Sequence, residues 1–223
     1  MGRLGMMLAV AAIGAAGAGS ASAGDRPLKA PPMTFFVTSA GPGKGGDLGG
    51  LKGADRRCAA LARAAGARAH RWRAYLSAAD GSHHRQVDAR DRIGKGPWRN
   101  AKGVLIAQDV TALHMDSVNL NKQTALTESG ATVNGRGDMP NRHDILTGSA
   151  ADGTLARNEK GEPLTCRDWT SSDGGSAQLG HHDRTSMQPG LSSWNSAHPS
   201  RGCSPAELQS TGGDGLLYCF ATQ

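Results

Sequence analysis

The chain carries four cysteines, Cys58, Cys166, Cys203 and Cys219, and their oxidation state constrains its fold more than any other feature. Where the chain goes sets that state. Residues 1–23 hold one basic residue, Arg3, then the apolar small-residue run LGMMLAVAAIGAAGAG, then SASA with Ala21 and Ala23 in an A-x-A arrangement. This is the pattern of a secretory signal peptide cut after Ala23. As a transmembrane segment the run is short and glycine-rich, with no charged stop-transfer flank, and no other stretch is apolar enough to span a bilayer. No cysteine stands at the cleavage point to carry a lipid anchor. Export to a periplasmic or extracellular location is therefore expected, and an even number of cysteines in an oxidising compartment gives two disulfides. Zinc ligation is the competing use, but the sequence has no C-x-x-C pair to support it. Four cysteines allow three pairings, and their spacing does not choose among them.

The formal net charge of +6 stays positive once the leader, with its single basic residue, is removed. The remaining chain is long enough for one well-buried domain, yet only 4% of the residues are aromatic and 32 are glycine, so much of it is expected to be loop. GDRPLKAPP (24–32) reads as an extended arm, and residues 33–223 as a single α+β domain without internal repeats.

Strands are expected at MTFFVTS (33–39), WRAYLS (72–77) and GVLIA (103–107), and then at DILTGS, TCRDWTS, SSWNSAH and GLLYCFA in the last third. From Ala54 to Ala65 the pattern is helical: Cys58, Leu61, Ala62 and Ala65 share a face, and Gly66 supplies a stop. Before this helix, GPGKGGDLGGLKG has the glycines and lysine of a phosphate cradle. A P-loop needs Ser or Thr after its lysine, and Lys44 is followed by Gly45, so a strand-to-helix turn is expected instead.

The order of these segments, with GADRRCAALARAAG, WRAYLS, TCRDWTSS, SSWNSAHPSRGC and LLYCFA, resembles a C-type lectin-like domain, most closely its endostatin-like branch, which forms the C-terminal domain of certain collagens. The resemblance covers roughly residues 33–221. It implies nested disulfides, Cys58 with Cys219 and Cys166 with Cys203, and a ligand-binding rather than catalytic function. Carbohydrate is the first expected ligand, a protein partner the alternative, and an enzyme the third reading. Relatives of this fold that are oxidases use reactive cysteines, whereas the structural pattern occupies all four here. No G-x-S-x-G elbow or H-E-x-x-H helix occurs either.

Site residues follow from the same resemblance. Calcium-dependent lectins hold the ion with E-P-N and W-N-D type motifs. This chain has Met139-Pro140-Asn141, lacking the glutamate, and Trp194-Asn195-Ser196, lacking the aspartate. Asn134, Asp138, Asn141 and Asp144 could offer oxygens to a cation, or could bond to their own backbone as an Asx-rich loop. Arg136-Gly137-Asp138 spells an adhesion tripeptide too short to carry weight. The endostatin-like zinc site needs histidines at the mature N-terminus, and GDRPLKAPPM has none. His83-His84 and His181-His182-Asp183 could make a different site or could be solvated loop histidines. Calcium and zinc are thus both considered, and no metal ligand set is assigned.

Heparin binding by the endostatin-like branch has a counterpart in Arg56, Arg57, Arg63, Arg68, Arg71 and Arg73, opposed only by Asp55. Arginine forks suit sulfate and carboxylate, so an acidic glycan is the expected partner and export argues against nucleic acid. The expected ligand-binding set is Arg56, Arg63, Arg71, Asp138, Asn141, Asp144, Trp194 and Asn195.

Overall fold

The C-terminal strand, the longest among the described residues, organises the rest. A computed structural model describes residues 1–2, 32–67, 71–79, 85–188 and 190–222. Residues 3–31, which include most of the leader 1–23 and of the arm 24–32, lie outside that range, as do Arg68, His83 and His84. Strand β8 (Gly213–Thr222) is apolar without interruption from Leu216 to Ala221, the signature of a strand buried on both faces. Alternation divides its side chains. Leu216, Tyr218 and Phe220 enter one core cluster with Phe35, Tyr75, Trp98 and Trp194, whereas Leu217, Cys219 and Ala221 enter the other with Phe36, Trp72 and Trp169.

Strand β1 (Phe35–Val37) runs antiparallel along one edge of β8, with Phe36 opposite Cys219. On the other edge, β2 (Arg71–Ala74) pairs antiparallel with the C-terminal half of β8. Strand β5 (Asp144–Leu146) pairs parallel with its N-terminal half. The sheet continues through β6 (Gln178–His181) to the two-residue strand β7 (His198–Pro199). Between β2 and β5 lie the short helix α2 (Ala89–Arg92), the pair β3 (Trp98–Arg99) and β4 (Leu105–Ala107), and the single turn α3 (Val110–Leu113).

Helix α1 (Gly50–Ala64) begins four residues earlier than its apolar pattern suggests, and the glycines before it sit in close contacts. A Cβ on Gly46 would lie 2.6 Å from Cys166 Sγ, and one on Gly45 would lie 2.1 Å from the carbonyl oxygen of Cys203. The glycine run is packed against the segment bearing the second disulfide, which leaves no room for a phosphate cradle there. Its buried stripe is Ala54, Cys58 and Ala62, with Leu61 half-buried and Ala65 exposed. Gly66 at φ 84° ends the helix as expected: Ala67 N–H donates to Ala62 O and Gly66 N–H to Arg63 O, a Schellman closure.

The disulfides are Cys58–Cys219 and Cys166–Cys203, with Cα separations of 5.6 and 5.7 Å. One ties α1 to β8; the other ties the Cys166 turn to the segment before α5 (Pro205–Gln209). The α+β class and both bridges are therefore present, and such bridges belong to chains that mature outside a reducing compartment. Among the described residues, no helix is long and apolar enough to cross a membrane.

Two expected strands are absent. TCRDWTS forms α4 (Cys166–Trp169), a turn in which all four residues have positive φ, from 48° to 69°. Thr165 Oγ1 accepts from Asp168 N–H, and Asp168 Oδ1 accepts from Ala79 N–H, so side-chain bonds override the aromatic, β-branched character of the segment. In SSWNSAH only His198 joins a strand, because Trp194 and Asn195 turn inward to close the core.

Candidate functional site

Two polar regions stand out, on different parts of the sheet. The first is a cleft of about 690 Å³ between the N-terminus of α1 and the strand β2. Gly49, at φ 70°, is the N-cap residue and has no side chain with which to cap the first turn, and Gly50, Leu51 and Lys52 of that turn line the cleft. Lys52, Arg73 and Arg92 line it together with Asp55 and Asp168, three cations against two carboxylates. Asp55 Oδ2 receives both Arg73 and Arg92, and Asp55 Oδ1 accepts from Ala74 N–H at 3.0 Å. The positive end of the helix dipole adds to the excess.

The arginines expected from the sequence divide around this cleft. Arg57 donates to the carbonyl oxygens of Ala40 and Gly41 and is structural. Arg73 lines the cleft. Arg56, Arg63 and Arg71 are exposed. Arg56 follows Lys52 by one helical turn and Arg63 lies two turns further along α1, while Arg71 and Arg73 share one face of β2. Cationic side chains thus lead away from the cleft along both elements. Lys52 and Arg92 escaped sequence reading, since nothing in their local context brings either residue to the cleft.

The loop residues fare differently. Asp138 accepts from Gly135 N–H at 2.8 Å and pairs with Lys122 at 2.6 Å; Asn141 Oδ1 accepts from His143 N–H at 3.2 Å. Asn134 Nδ2 donates to Pro140 O. Of the two uses open to this loop, these bonds are those of an Asx-rich turn satisfying its own backbone. Trp194 and Asn195 are buried: Trp194 Nε1 donates to Leu113 O, and Asn195 Nδ2 donates to Tyr75 Oη, Ala150 O and Ala151 O. Both are therefore core-closing residues, with no face open to a glycan.

Asp144 belongs to the second region, because it opens β5 directly opposite His181, the last residue of β6. His198 opens β7 opposite Leu179, diagonal to His181, and His143 precedes Asp144. The pleat points Asp144, His181 and His198 to one face, and His143 reaches the same spot from just before the strand. Asp144 Oδ1 lies 3.1 Å from His181 Nε2, 3.2 Å from His143 Nε2 and 3.5 Å from His198 Nε2. Side-chain exposure is 0% for Asp144, 6% for His181, 8% for His143 and 26% for His198. His181, His182 and Asp183 are thus buried rather than solvated. His182 Nε2 lies 3.0 Å from Asn134 O, and Asp183 Oδ2 accepts from Arg136 N–H at 2.6 Å. His143 and His198 lie far from His181 in sequence, and only the sheet register brings them together. His143, Asp144 and His181 have the proximity of metal ligands.

The chain matches no protein-family model and no curated protein.

Proposed function

We propose that this protein is an exported, non-catalytic ligand-binding domain of C-type lectin-like kind that takes an acidic carbohydrate. The observation that carries the reading is the cleft at the uncapped end of α1, where Lys52, Arg73 and Arg92 outnumber the carboxylates. Lysine ammonium and guanidinium groups at such a cleft recognise sulfate or carboxylate. The exposed line of Arg56, Arg63 and Arg71 extends the footprint beyond the cleft and suits a polymer better than a single sugar. Nested disulfides and long loops around a small sheet agree with the lectin-like resemblance.

Binding to an array of neutral and acidic glycans at two salt concentrations tests this. Acidic glycans bind and weaken with salt, and Lys52→Ala with Arg56→Ala, Arg63→Ala and Arg71→Ala removes the binding from a folded protein. Unchanged binding in that variant would sink the assignment. A second reading, recognition of a protein, is favoured by one observation: Met139 and Met187 stand 91% and 99% exposed on the loops beside the histidine cluster. Silence across the array with capture through those loops would move the function there.

A further inference from the structure

The histidine–aspartate cluster poses a chemical problem that the cleft does not. His181 Nδ1 lies 2.6 Å from Leu191 O, and His198 Nδ1 lies 3.0 Å from Pro199 O. A carbonyl oxygen only accepts, so each of these Nδ1 atoms carries the proton and each neutral ring presents a bare lone pair at Nε2. Those two Nε2 atoms face one another at 3.0 Å. Asp144 Oδ1 lies beside them, and neither Asp144 oxygen receives a well-formed hydrogen bond although both are buried. Two lone pairs and a desolvated carboxylate directed at one point repel unless a positive charge sits among them.

We infer that Asp144, His181 and His198, with His143 as fourth ligand, form a binding site for a zinc-class divalent cation. Ligand atoms ~2.0–2.1 Å from a tetrahedral centre are separated from each other by ~3.3–3.4 Å. Four of the six separations among these atoms, 3.0, 3.1, 3.2 and 3.5 Å, lie close to that edge. Three imidazole nitrogens and one carboxylate oxygen select zinc and its neighbours over calcium or magnesium, which take oxygen sets. Two of the outer partners have the form that orients metal-bound histidines, Leu191 O and Pro199 O behind the rings of His181 and His198; Asp183 Oδ2 lies 3.7 Å from His143 Nδ1, beyond hydrogen-bond reach. His143 stacks on His181 at 4.1 Å between ring centroids.

Four protein ligands close the coordination sphere, which makes the site structural rather than hydrolytic. It would clip β5, β6 and the two-residue strand β7 together at their ends, with the partly exposed His198 as the point of entry. None of its residues lines the cationic cleft, so this inference stands apart from the carbohydrate reading.

The test is metal binding by the untagged, oxidised chain. Elemental analysis of protein purified without chelator is expected to give one zinc per chain. After stripping, cobalt(II) should restore one equivalent, with the intense visible absorption of a tetrahedral centre, and zinc should displace it and raise the melting temperature. His181→Gln and His198→Gln are expected to weaken cobalt binding by more than ~100-fold, beyond the ~10–100-fold typical of losing an outer partner. His198→Gln, at the exposed edge, guards against a variant that merely fails to fold. The double substitution His83→Gln and His84→Gln should leave binding unchanged. A folded, stripped chain that takes up neither ion stoichiometrically overturns the inference and leaves a shared proton as the charge between the rings. Wild-type affinity in both ligand variants, loss of binding in the His83/His84 variant, or a weak octahedral cobalt spectrum overturns it equally.

Discussion

Asp55 Oδ2 accepts from Arg92 Nη2 at 2.8 Å, and the side chains of both residues are only 11% exposed. This pair joins α1 to α2 beneath the cleft, and the same carboxylate fixes β2 through Ala74 N–H. The Arg73 arm, 42% exposed, contributes much less because water screens it. Burial lowers the pKa of Arg92, and Asp55 opposes that shift.

Removing the carboxylate strands a desolvated guanidinium. Asp55→Ala is therefore expected to cost about 3–5 kcal/mol in urea denaturation, and adding Arg92→Met should recover most of it. A double variant no more stable than the single one would show that the pair is not the source of the loss.

Glycine at position 46 is required by contact, and at position 43 only by backbone angle. A methyl on Gly46 meets Cys166 Sγ, whereas Gly43, at φ 77°, has nothing within 4 Å. Gly46→Ala should destabilise by about 1–3 kcal/mol and slow closure of Cys166–Cys203 in a free-thiol assay. Gly43→Ala should cost about 1 kcal/mol and leave oxidation unchanged. Equal oxidation rates would contradict the packing argument.

Asn195 tests the difference between a core residue and a binding residue. Its amide donates to Tyr75 Oη and two carbonyl oxygens, so Asn195→Ala should destabilise by about 1–3 kcal/mol. Glycan affinity at a permissive temperature should not change, and a selective loss of affinity would return Asn195 to the ligand site.

His114 provides a pH signature. It lies 2.7 Å from Tyr75 Oη and 2.8 Å from Val110 O, and burial lowers its pKa below the usual 6.5. Because the folded-state value is depressed, its contribution is fully present above pH 6.5 and is lost as pH falls from there through the folded-state value. Stability against pH should therefore fall less steeply on acidification for His114→Gln than for the wild type, even though the variant is less stable at neutral pH. Parallel curves would mean that His114 titrates normally.

The C-terminal strand, the first helix and its Gly66 stop were legible because each is encoded locally: an apolar run, a 3.6-residue stripe and a residue free to adopt positive φ. Strand propensity counts residue types, but TCRDWTS is not a strand, because here Thr165 Oγ1 accepts from Asp168 N–H within the turn while Asp168 Oδ1 accepts from the distant Ala79 N–H. The exposed arginines could be listed from the sequence, but the meeting of Arg73 with Lys52 and Arg92 at one cleft could not.

The sequence by itself determined the α+β character, the basic charge, the even cysteine count and the need for glycine before the first helix. Each of these is a property of single residues or of neighbours along the chain. Tertiary structure alone decided that Asp144 faces His181, that His198 reaches both, and that Trp194 and Asn195 close the core. The relationships among Asp144, His181 and His198 depend on strand register, and a shift of one residue would turn each shifted side chain to the opposite face.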